Sequence, residues 1–266
     1  MFFFSQRGKD LIMRRKGSEV LTRITTIALL SALGFVLMAF VRIPYPLAPW
    51  LMIEFSDLVV LISYAMYGFT GGFSVSVIKT LLDMLIHGPT GYMGIGNITA
   101  LLTSLAYVLG LFITSHVLKL FKKGWKFRLL GYGTIIMLVA VILTALNAVF
   151  ITPTFLTGQF ATCFDNATIE GVVNALGSYF PGVNNYFLLI FIAYFPFNLL
   201  KGVIVCALYE LVFNRLIFVL MQRSPVMKKY FLGPVFFEKK KEEQTKETEE
   251  TPVKETTEES LEEDKK

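Results

Sequence analysis

The sequence is poor in the side chains on which most enzymes rely for chemistry. Its 266 residues include only two cysteines, Cys163 and Cys206, which lack a CxxC spacing, and only two histidines, His87 and His116. This set argues against a zinc site built from cysteine and histidine and leaves almost nothing for a Ser-His-Asp hydrolase. We therefore expect a protein that is not an enzyme, with no catalytic residue, no metal and no cofactor.

Charged residues are also scarce, at 17% of the chain against about 25% in soluble domains. Residues 1–237 contain 18 Lys and Arg against 8 Asp and Glu, whereas residues 238–266 contain 7 Lys against 12 Asp and Glu. An apolar, basic body with a polar, acidic tail indicates an integral membrane protein with a disordered end. The basic excess is that of loops facing anionic lipid, so it does not indicate nucleic-acid binding.

Long apolar runs predict an all-α bundle of six transmembrane helices. A helix needs about 20 mostly apolar residues to cross the hydrocarbon core. The predicted spans are Thr22–Arg42, Phe55–Phe69, Gly72–Ile86, Met93–Leu120, Leu129–Ile151 and Tyr186–Met221. We thus divide the chain into a basic N-terminus (residues 1–21), a membrane domain (22–222) and a tail (223–266) that is disordered from about residue 238.

The positions of lysine and arginine predict the orientation in the membrane. Basic residues cluster before the first span, after the fourth and after the sixth, whereas the connections Ile43–Glu54, His87–Tyr92 and Thr152–Asn185 contain none. Cytoplasmic loops carry the excess of Lys and Arg. We expect a multi-pass protein of a bacterial cell membrane with both termini in the cytoplasm. The long connection Thr152–Asn185 is expected to be a lid or a partly helical cover.

Polar residues inside the predicted spans mark a candidate site, because burying them in lipid is costly. Lys79 and Asp83 are four residues apart on one helix face, so they are expected to form an ion pair or to flank a polar cavity. Lys201 has no acidic residue near it in its own span, so it needs an acceptor such as a ligand carbonyl. Asparagines at the same predicted depth favour a pocket for a neutral molecule with several carbonyls and hydroxyls. The candidate ligand-binding residues are Asn147, Asn198, Lys201, Asn97, Lys79 and Asp83.

The first span contains a pair of small residues, Ala28 and Ala32, one helical turn apart. Such a pattern lets another helix approach closely. By itself it is equally compatible with packing inside the bundle and with docking of a partner.

Several motifs together resemble one family. They are the small-residue pair Ala28 and Ala32, IEFSDL at Ile53–Leu58, HGPTG at His87–Gly91, ALN at Ala145–Asn147 followed by Pro153, and FPFNLLK at Phe195–Lys201. The chain is similar, over roughly Ile24–Leu220, to the substrate-binding S components of energy-coupling factor (ECF) vitamin transporters. The ALN and PFNxxK elements are most similar to the riboflavin-specific members.

This resemblance implies a function and partners. An S component of this type captures riboflavin at the outer face and docks on one transmembrane coupling protein with two cytoplasmic ATPases. It then topples in the lipid bilayer to release the vitamin inside. Asn147, Asn198 and Lys201 would bind the polar edge of the isoalloxazine ring, and Ala28 and Ala32 would contact the coupling protein. The sequence itself contains no Walker A motif, so the energy for transport would have to come from an ion gradient or from a separate ATPase.

The resemblance also implies that the outer loop Leu47–Glu54 covers the pocket, and it has two departures. Some riboflavin-type members have a tryptophan in the third span that faces the ring, where this chain has Leu81 or Leu82. The connection Thr152–Asn185 is longer than expected.

Other functions remain open from the sequence. The chain is compatible with an S component for pantothenate, folate or thiamine. A small membrane enzyme would have to use Glu54, Asp57 and His87, which are few and dispersed. A membrane scaffold would use the acidic tail to bind partners.

Overall fold

The computed structural model describes residues 3–122 and 125–212 as a helical bundle with one β-hairpin. Its elements are α1 (Phe3–Phe40), β1 (Arg42–Tyr45), β2 (Ala48–Glu54), α2 (Ser56–Tyr67), α3 (Phe69–His87), α4 (Ile95–Phe112), α5 (Trp125–Leu146), α6 (Thr152–Thr157), α7 (Asn166–Gly177) and α8 (Tyr186–Leu211). The predicted tail, 223–266, and the end of the last predicted span lie outside the described residues.

Within residues 3–122 and 125–212, five segments are long and apolar enough to cross a membrane: Val20–Phe40, Phe69–His87, Tyr92–Val117, Lys126–Thr157 and Tyr186–Leu211. The remaining predicted span corresponds to α2, which has only 12 residues. At 1.5 Å per residue this helix rises about 18 Å, less than the roughly 30 Å hydrocarbon core. Helix length therefore supports five complete spans rather than the six predicted.

Helix α2 is short because its surroundings are protein rather than lipid. Nine of its 12 residues are buried, so its ends do not have to match the bilayer thickness. It ends at Gly68, whose φ of 70° lies in the left-handed region that glycine tolerates. The chain then reverses into α3, where Gly72 lets Val108 of α4 approach: a Cβ at Gly72 would lie 2.8 Å from Val108 Cγ2.

The expected all-α fold is wrong at the connection after the first span, which forms the antiparallel hairpin of β1 and β2. Arg42 pairs with Glu54 and Ile43 with Ile53. Because side chains alternate along a strand, one face of the hairpin can bury Ile53 and Tyr45 against Phe197 of α8. Proline is tolerated here because each strand of a two-stranded sheet is an edge strand.

Two of the predicted spans contain irregular turns. The fourth begins with a 3₁₀ turn, Tyr92–Gly94, and ends in a π turn, Ile113–Val117. The fifth passes from α5 through the π turn Asn147–Ile151 into α6. Helix α8, in contrast, continues through Pro196 from Tyr186 to Leu211, so the proline does not begin an irregular segment.

The main hydrophobic core lies between α2, α4, α5 and α8. Tyrosines contribute much of its volume, and Tyr64, Tyr107 and Tyr209 are among the largest fully buried side chains. Apolar side chains from all four helices complete the cluster, including Val60, Leu111, Val139 and Val205.

The long connection Thr152–Asn185 contains two helices, α6 and α7, and so is a partly helical cover. Val172 and Leu176 of α7 are buried in a second cluster with Leu189 and Ile190 of α8. Helix α7 begins at Asp165, whose carboxylate accepts hydrogen bonds from the backbone N–H and the hydroxyl of Thr168, at 3.1 and 2.7 Å. This N-cap orients α7 over the end of α8.

Replacing Asp165 with alanine removes this cap, so we expect faster amide hydrogen exchange in the first turn of α7 while the core helices are unchanged. Glu170→Ala, which removes an exposed acid from the same helix without removing the cap, is the matched control. Equal exchange in the two variants would contradict the assigned cap.

The cap also predicts a pH dependence. The hydrogen bonds from Thr168 lower the pKa of the Asp165 carboxyl from its ordinary value. A lowered pKa contributes stability above the unfolded-state pKa of about 3.9, and this stability is lost as pH falls through the lowered value. Protection of α7, corrected for intrinsic exchange, should therefore fall at acidic pH in the wild type, and Asp165→Ala should lack this component.

Candidate functional site

A cavity of about 250 Å³ lies where the hairpin, the α3–α4 turn, the α5–α6 junction and α8 meet. Polar and apolar side chains both line its walls. They include Arg42, Trp50, Glu54, Asp83, Asn97, Asn147, Phe155, Tyr194, Phe197, Asn198 and Lys201.

The structure brings together most of the polar residues that the sequence singled out. Five of the six candidates line the cavity: Asp83, Asn97, Asn147, Asn198 and Lys201. Lys79, the sixth, is fully buried behind the cavity wall. The sequence predicts one depth for Asn97, Asn147, Asn198 and Lys201, and the packing of separate segments brings these four side chains to one cavity.

Lys201 has an acidic partner that its own helix does not supply. Its Nζ lies 3.0 Å from Oδ2 of Asp57, a buried residue near the start of α2. Lys201 therefore does not need a ligand carbonyl as its acceptor, contrary to the prediction. Asp57 is the residue that sequence reasoning missed as part of this site. Asp57 is the one acidic residue in the apolar helix α2, and this feature of the sequence could have marked it as a partner for a buried lysine.

The predicted ion pair between Lys79 and Asp83 is also wrong. Lys79 Nζ donates to Ser56 Oγ at 2.7 Å and to Asp57 Oδ1 at 3.1 Å, both on α2. Ser104 of α4 donates to the same Oδ1 at 2.6 Å. A fully buried ammonium is stable only with close acceptors, and the α2–α3 interface provides them.

Asp83 instead contacts several side chains at the edge of the cavity. We call this group, which comprises Asp83, His87, Thr90, Asn97 and Arg42, the rim. Its Oδ2 accepts from Asn97 Nδ2 at 2.8 Å, and Asn97 Oδ1 accepts from the backbone N–H of Thr90 at 2.8 Å. Its Oδ1 lies 3.0 Å from His87 Nδ1 and 3.6 Å from Arg42 Nη2. One carboxylate thus connects α3, the α3–α4 turn, α4 and the hairpin. Both polar atoms of Asn97 therefore make protein contacts at the rim.

The two remaining asparagines differ in how far the protein satisfies them. Asn147 Nδ2 donates to the Leu143 carbonyl at 2.8 Å, and its Oδ1 accepts from Thr152 at 3.2 Å. Asn198 is 4% exposed, and its Nδ2 has no hydrogen-bond partner within the described residues. An unsatisfied buried donor costs about 1–3 kcal/mol, which an acceptor on a ligand in the cavity would recover.

Aromatic side chains complete the walls. Trp50 from β2, Phe155 from α6, and Tyr194 and Phe197 from α8 all line the cavity. Leu81, one of the two residues expected where some relatives have a tryptophan, is 52% exposed and lies outside the cavity lining. Aromatic contact with a ligand can therefore come from the hairpin, α6 and α8.

Ala28 and Ala32 lie on the exposed side of α1. Ser31 and Met38 of the same helix are buried, and Gly34 faces Lys79, with 3.4 Å between a Cβ built there and Lys79 Cδ. Within the described residues, the small-residue pair is therefore available for an external contact and does not pack inside the bundle.

Apolar helices around a cavity with amide and ammonium groups define a membrane protein that can enclose a small ligand with a polar edge. Residues 22–213 match the family model described as ECF transporter, substrate-specific component. The chain belongs to this family, which is a family of transporter components and not of enzymes.

Several relatives of the chain are riboflavin transporters. It is 26% identical to riboflavin transporter FmnP of Bacillus subtilis over 197 residues, which cover 73% of this chain and 91% of the relative. It is 27% identical to riboflavin transporter RibU of Staphylococcus aureus, with 73% and 89% covered. It is 30% identical to riboflavin transporter RibU of Leuconostoc mesenteroides over 185 residues, with 68% and 84% covered.

A solved structure supports the fold. The S component of a bacterial ECF transporter superposes with a TM-score of 0.52 at 23% identity, covering 75% of this chain and 97% of that one.

The hydrogen bonds of Asn97 at the rim predict an effect on protein stability that can be measured without a ligand. Asn97→Ala leaves Asp83 Oδ2 and the Thr90 N–H without their partner, so it should lower the free energy of unfolding by about 1–3 kcal/mol. Thermal unfolding of the detergent-solubilised protein measures this. Thr99→Ala on the same helix is the control, since Thr99 Oγ1 donates only to its own helix at Ile95. Equal melting temperatures for the two variants would refute the assigned rim.

Proposed function

We propose that this chain is the riboflavin-binding S component of an ECF-type transporter, and that riboflavin occupies the cavity described above. The observation that carries the proposal is the unpaired, buried Asn198 amide beside Lys201 in an aromatic-walled cavity. Such a site suits a flat ring system with carbonyl groups along one edge. The riboflavin transporters among the relatives supply the choice of this vitamin.

Riboflavin is neutral, so its affinity would come from burial of the ring and from a few hydrogen bonds. The aromatic walls would contact the ring, and Asn198 and Lys201 would donate to its carbonyls. Asn147 retains one further N–H for the same purpose, because a side-chain amide has two donors and only one is engaged. Asp83 and Asn97 would shape the rim, and the hairpin would cover the pocket.

The same proposal includes partners and orientation. Ala28 and Ala32 would contact the transmembrane coupling protein, and two cytoplasmic ATPases would supply the energy. The cavity would open to the outside with both termini in the cytoplasm of a bacterial cell, as the distribution of Lys and Arg predicts. Helix α2 would be the sixth, shortened helix of the S-component bundle.

The most direct test is a titration of purified protein with riboflavin. Binding should quench the fluorescence of the vitamin, and protein purified from riboflavin-containing cells should show flavin absorption bands. Pantothenate, folate and thiamine serve as competitors. Displacement of riboflavin by one of these, or the absence of quenching, would reject the proposed ligand.

Two substitutions test the pocket residues. Asn198→Ala and Lys201→Met each remove one donor to a desolvated carbonyl, at a cost of about 1–3 kcal/mol, which corresponds to roughly 5- to 150-fold weaker binding. Lys201→Met should be at least as damaging as Asn198→Ala, because an ammonium makes the stronger hydrogen bond. Lys126→Ala, an exposed lysine of α5, is the control. Wild-type affinity in both folded pocket variants would remove these residues from the site.

Substitution of the exposed pair Ala28 and Ala32 should abolish uptake without weakening riboflavin binding. Ala28→Arg combined with Ala32→Arg places bulky charges on the exposed face of α1, which would block close helix approach. Riboflavin titration should be unchanged, whereas cellular uptake should be abolished. Ala28→Ser with Ala32→Ser keeps the residues small and should keep uptake. If the arginine variant loses binding together with uptake, the face does not act solely in docking.

A further inference from the structure

Three charged side chains form a line that leads from the cavity into the protein. Lys201 lines the cavity, its Nζ contacts Asp57 Oδ2 at 3.0 Å, and Asp57 Oδ1 accepts from Lys79 Nζ at 3.1 Å. Asp57 and Lys79 are 1% and 0% exposed and do not line the cavity. The two lysines thus share one carboxylate but lie on opposite sides of it.

We propose that Asp57 is a positioning residue that holds the Lys201 ammonium toward the ligand, and that Lys79 is a fixed counter-charge that contacts no ligand. This inference rests on the proposed function, because it concerns how the same site binds riboflavin. It separates two lysines that have the same partner and nearly the same burial, and it assigns them different roles.

The two carboxylate oxygens of Asp57 have different partners. Oδ1 is held by Lys79 at 3.1 Å and by Ser104 at 2.6 Å, from α3 and α4 respectively. These two donors fix the carboxylate plane and leave Oδ2 directed at Lys201 on α8. The residue is therefore immobilised from two helices before a ligand arrives.

An anchored ammonium binds a ligand better than a free one. A lysine side chain has a flexible four-carbon stem with several rotatable bonds, and it loses substantial conformational entropy when it is fixed. Asp57 occupies one of the three N–H donors of Lys201 and so fixes the side chain in advance, which lowers the cost of ordering it on binding. The other two donors remain for the ligand.

Lys79 is closed off from the cavity by its surroundings. Its stem passes beside Gly34 of α1, where an added Cβ would lie 3.4 Å from Lys79 Cδ. Its ammonium is bonded to Ser56 and Asp57. One helix packs over the stem and another holds the charge, so no part of Lys79 faces the space that the ligand would occupy.

A matched pair of substitutions tests the separation of roles. Lys201→Met and Lys79→Met each remove one ammonium from the same carboxylate and keep the apolar stem. We expect Lys201→Met to weaken riboflavin binding at least about tenfold, the effect of losing a charged donor. Lys79→Met should lose much less affinity than Lys201→Met, because Ser104 still holds Asp57 Oδ1 and Lys201 still contacts Asp57 Oδ2. Comparable losses of affinity in the two folded variants would overturn the proposal.

A second comparison distinguishes positioning from simple charge compensation. Asp57→Asn leaves two buried ammonium groups on one side-chain amide, so both melting temperature and affinity should fall. Combining Asp57→Asn with Lys79→Met removes one charge of each sign and restores the net charge of the triad. The melting temperature should then recover in part, because only Lys201 still lacks its carboxylate partner, whereas riboflavin affinity should remain at least about tenfold below that of the wild type. Recovery of affinity together with stability would show that Asp57 acts only through charge, and would overturn the proposal.

The same series separates this inference from the proposed function. If wild-type protein does not bind riboflavin, the proposed function fails. If the wild type binds and Asp57→Asn binds equally well, only the positioning role fails. Should Asp57→Asn not fold, the double variant and the Lys79→Met and Lys201→Met pair still decide the question, because each has at most one ammonium without its carboxylate.

Discussion

A single buried carboxylate fixes the positions of four helices along their axes relative to one another. Asp57 on α2 accepts from Lys79 on α3, Ser104 on α4 and Lys201 on α8. None of these groups can be left unpaired in a membrane interior, because an isolated buried charge costs several kcal/mol. A shift of any of the four helices along its axis would break at least one of these contacts. The positions of the other cavity residues depend on this fixed arrangement of the four helices.

The short helix α2 follows from the same constraint. Its first turn must present Ser56 and Asp57 to the lysines, directly after the hairpin ends at Glu54. Since protein surrounds it on most sides, α2 does not need the length of a lipid-facing helix. The cavity lies between the hairpin and α8, and Lys201, held by Asp57, brings a charged group to it. Its aromatic walls, in contrast, are apolar.

A second carboxylate performs a similar task at the rim. Asp83 connects the hairpin through Arg42 and the α3–α4 turn through Asn97. Helix α7 packs on the start of α8, and the ring of Tyr179, which follows α7, lies 4.7 Å from that of Trp50 in the hairpin. The hairpin thus contacts both the rim and the segment that follows α7, so several segments jointly support this wall of the cavity.

The sequence by itself determined the class of protein and the position of most spans. These properties depend on local hydropathy, which neighbouring residues define. The sequence also singled out Asn198 and Lys201, which line the cavity, and a small-residue pair that lies on an exposed face. Only the tertiary structure decided which charges pair. Lys79 lies one turn from Asp83 yet bonds to Asp57, because the choice between acceptors depends on how separate helices pack, and spacing along one helix does not contain that information.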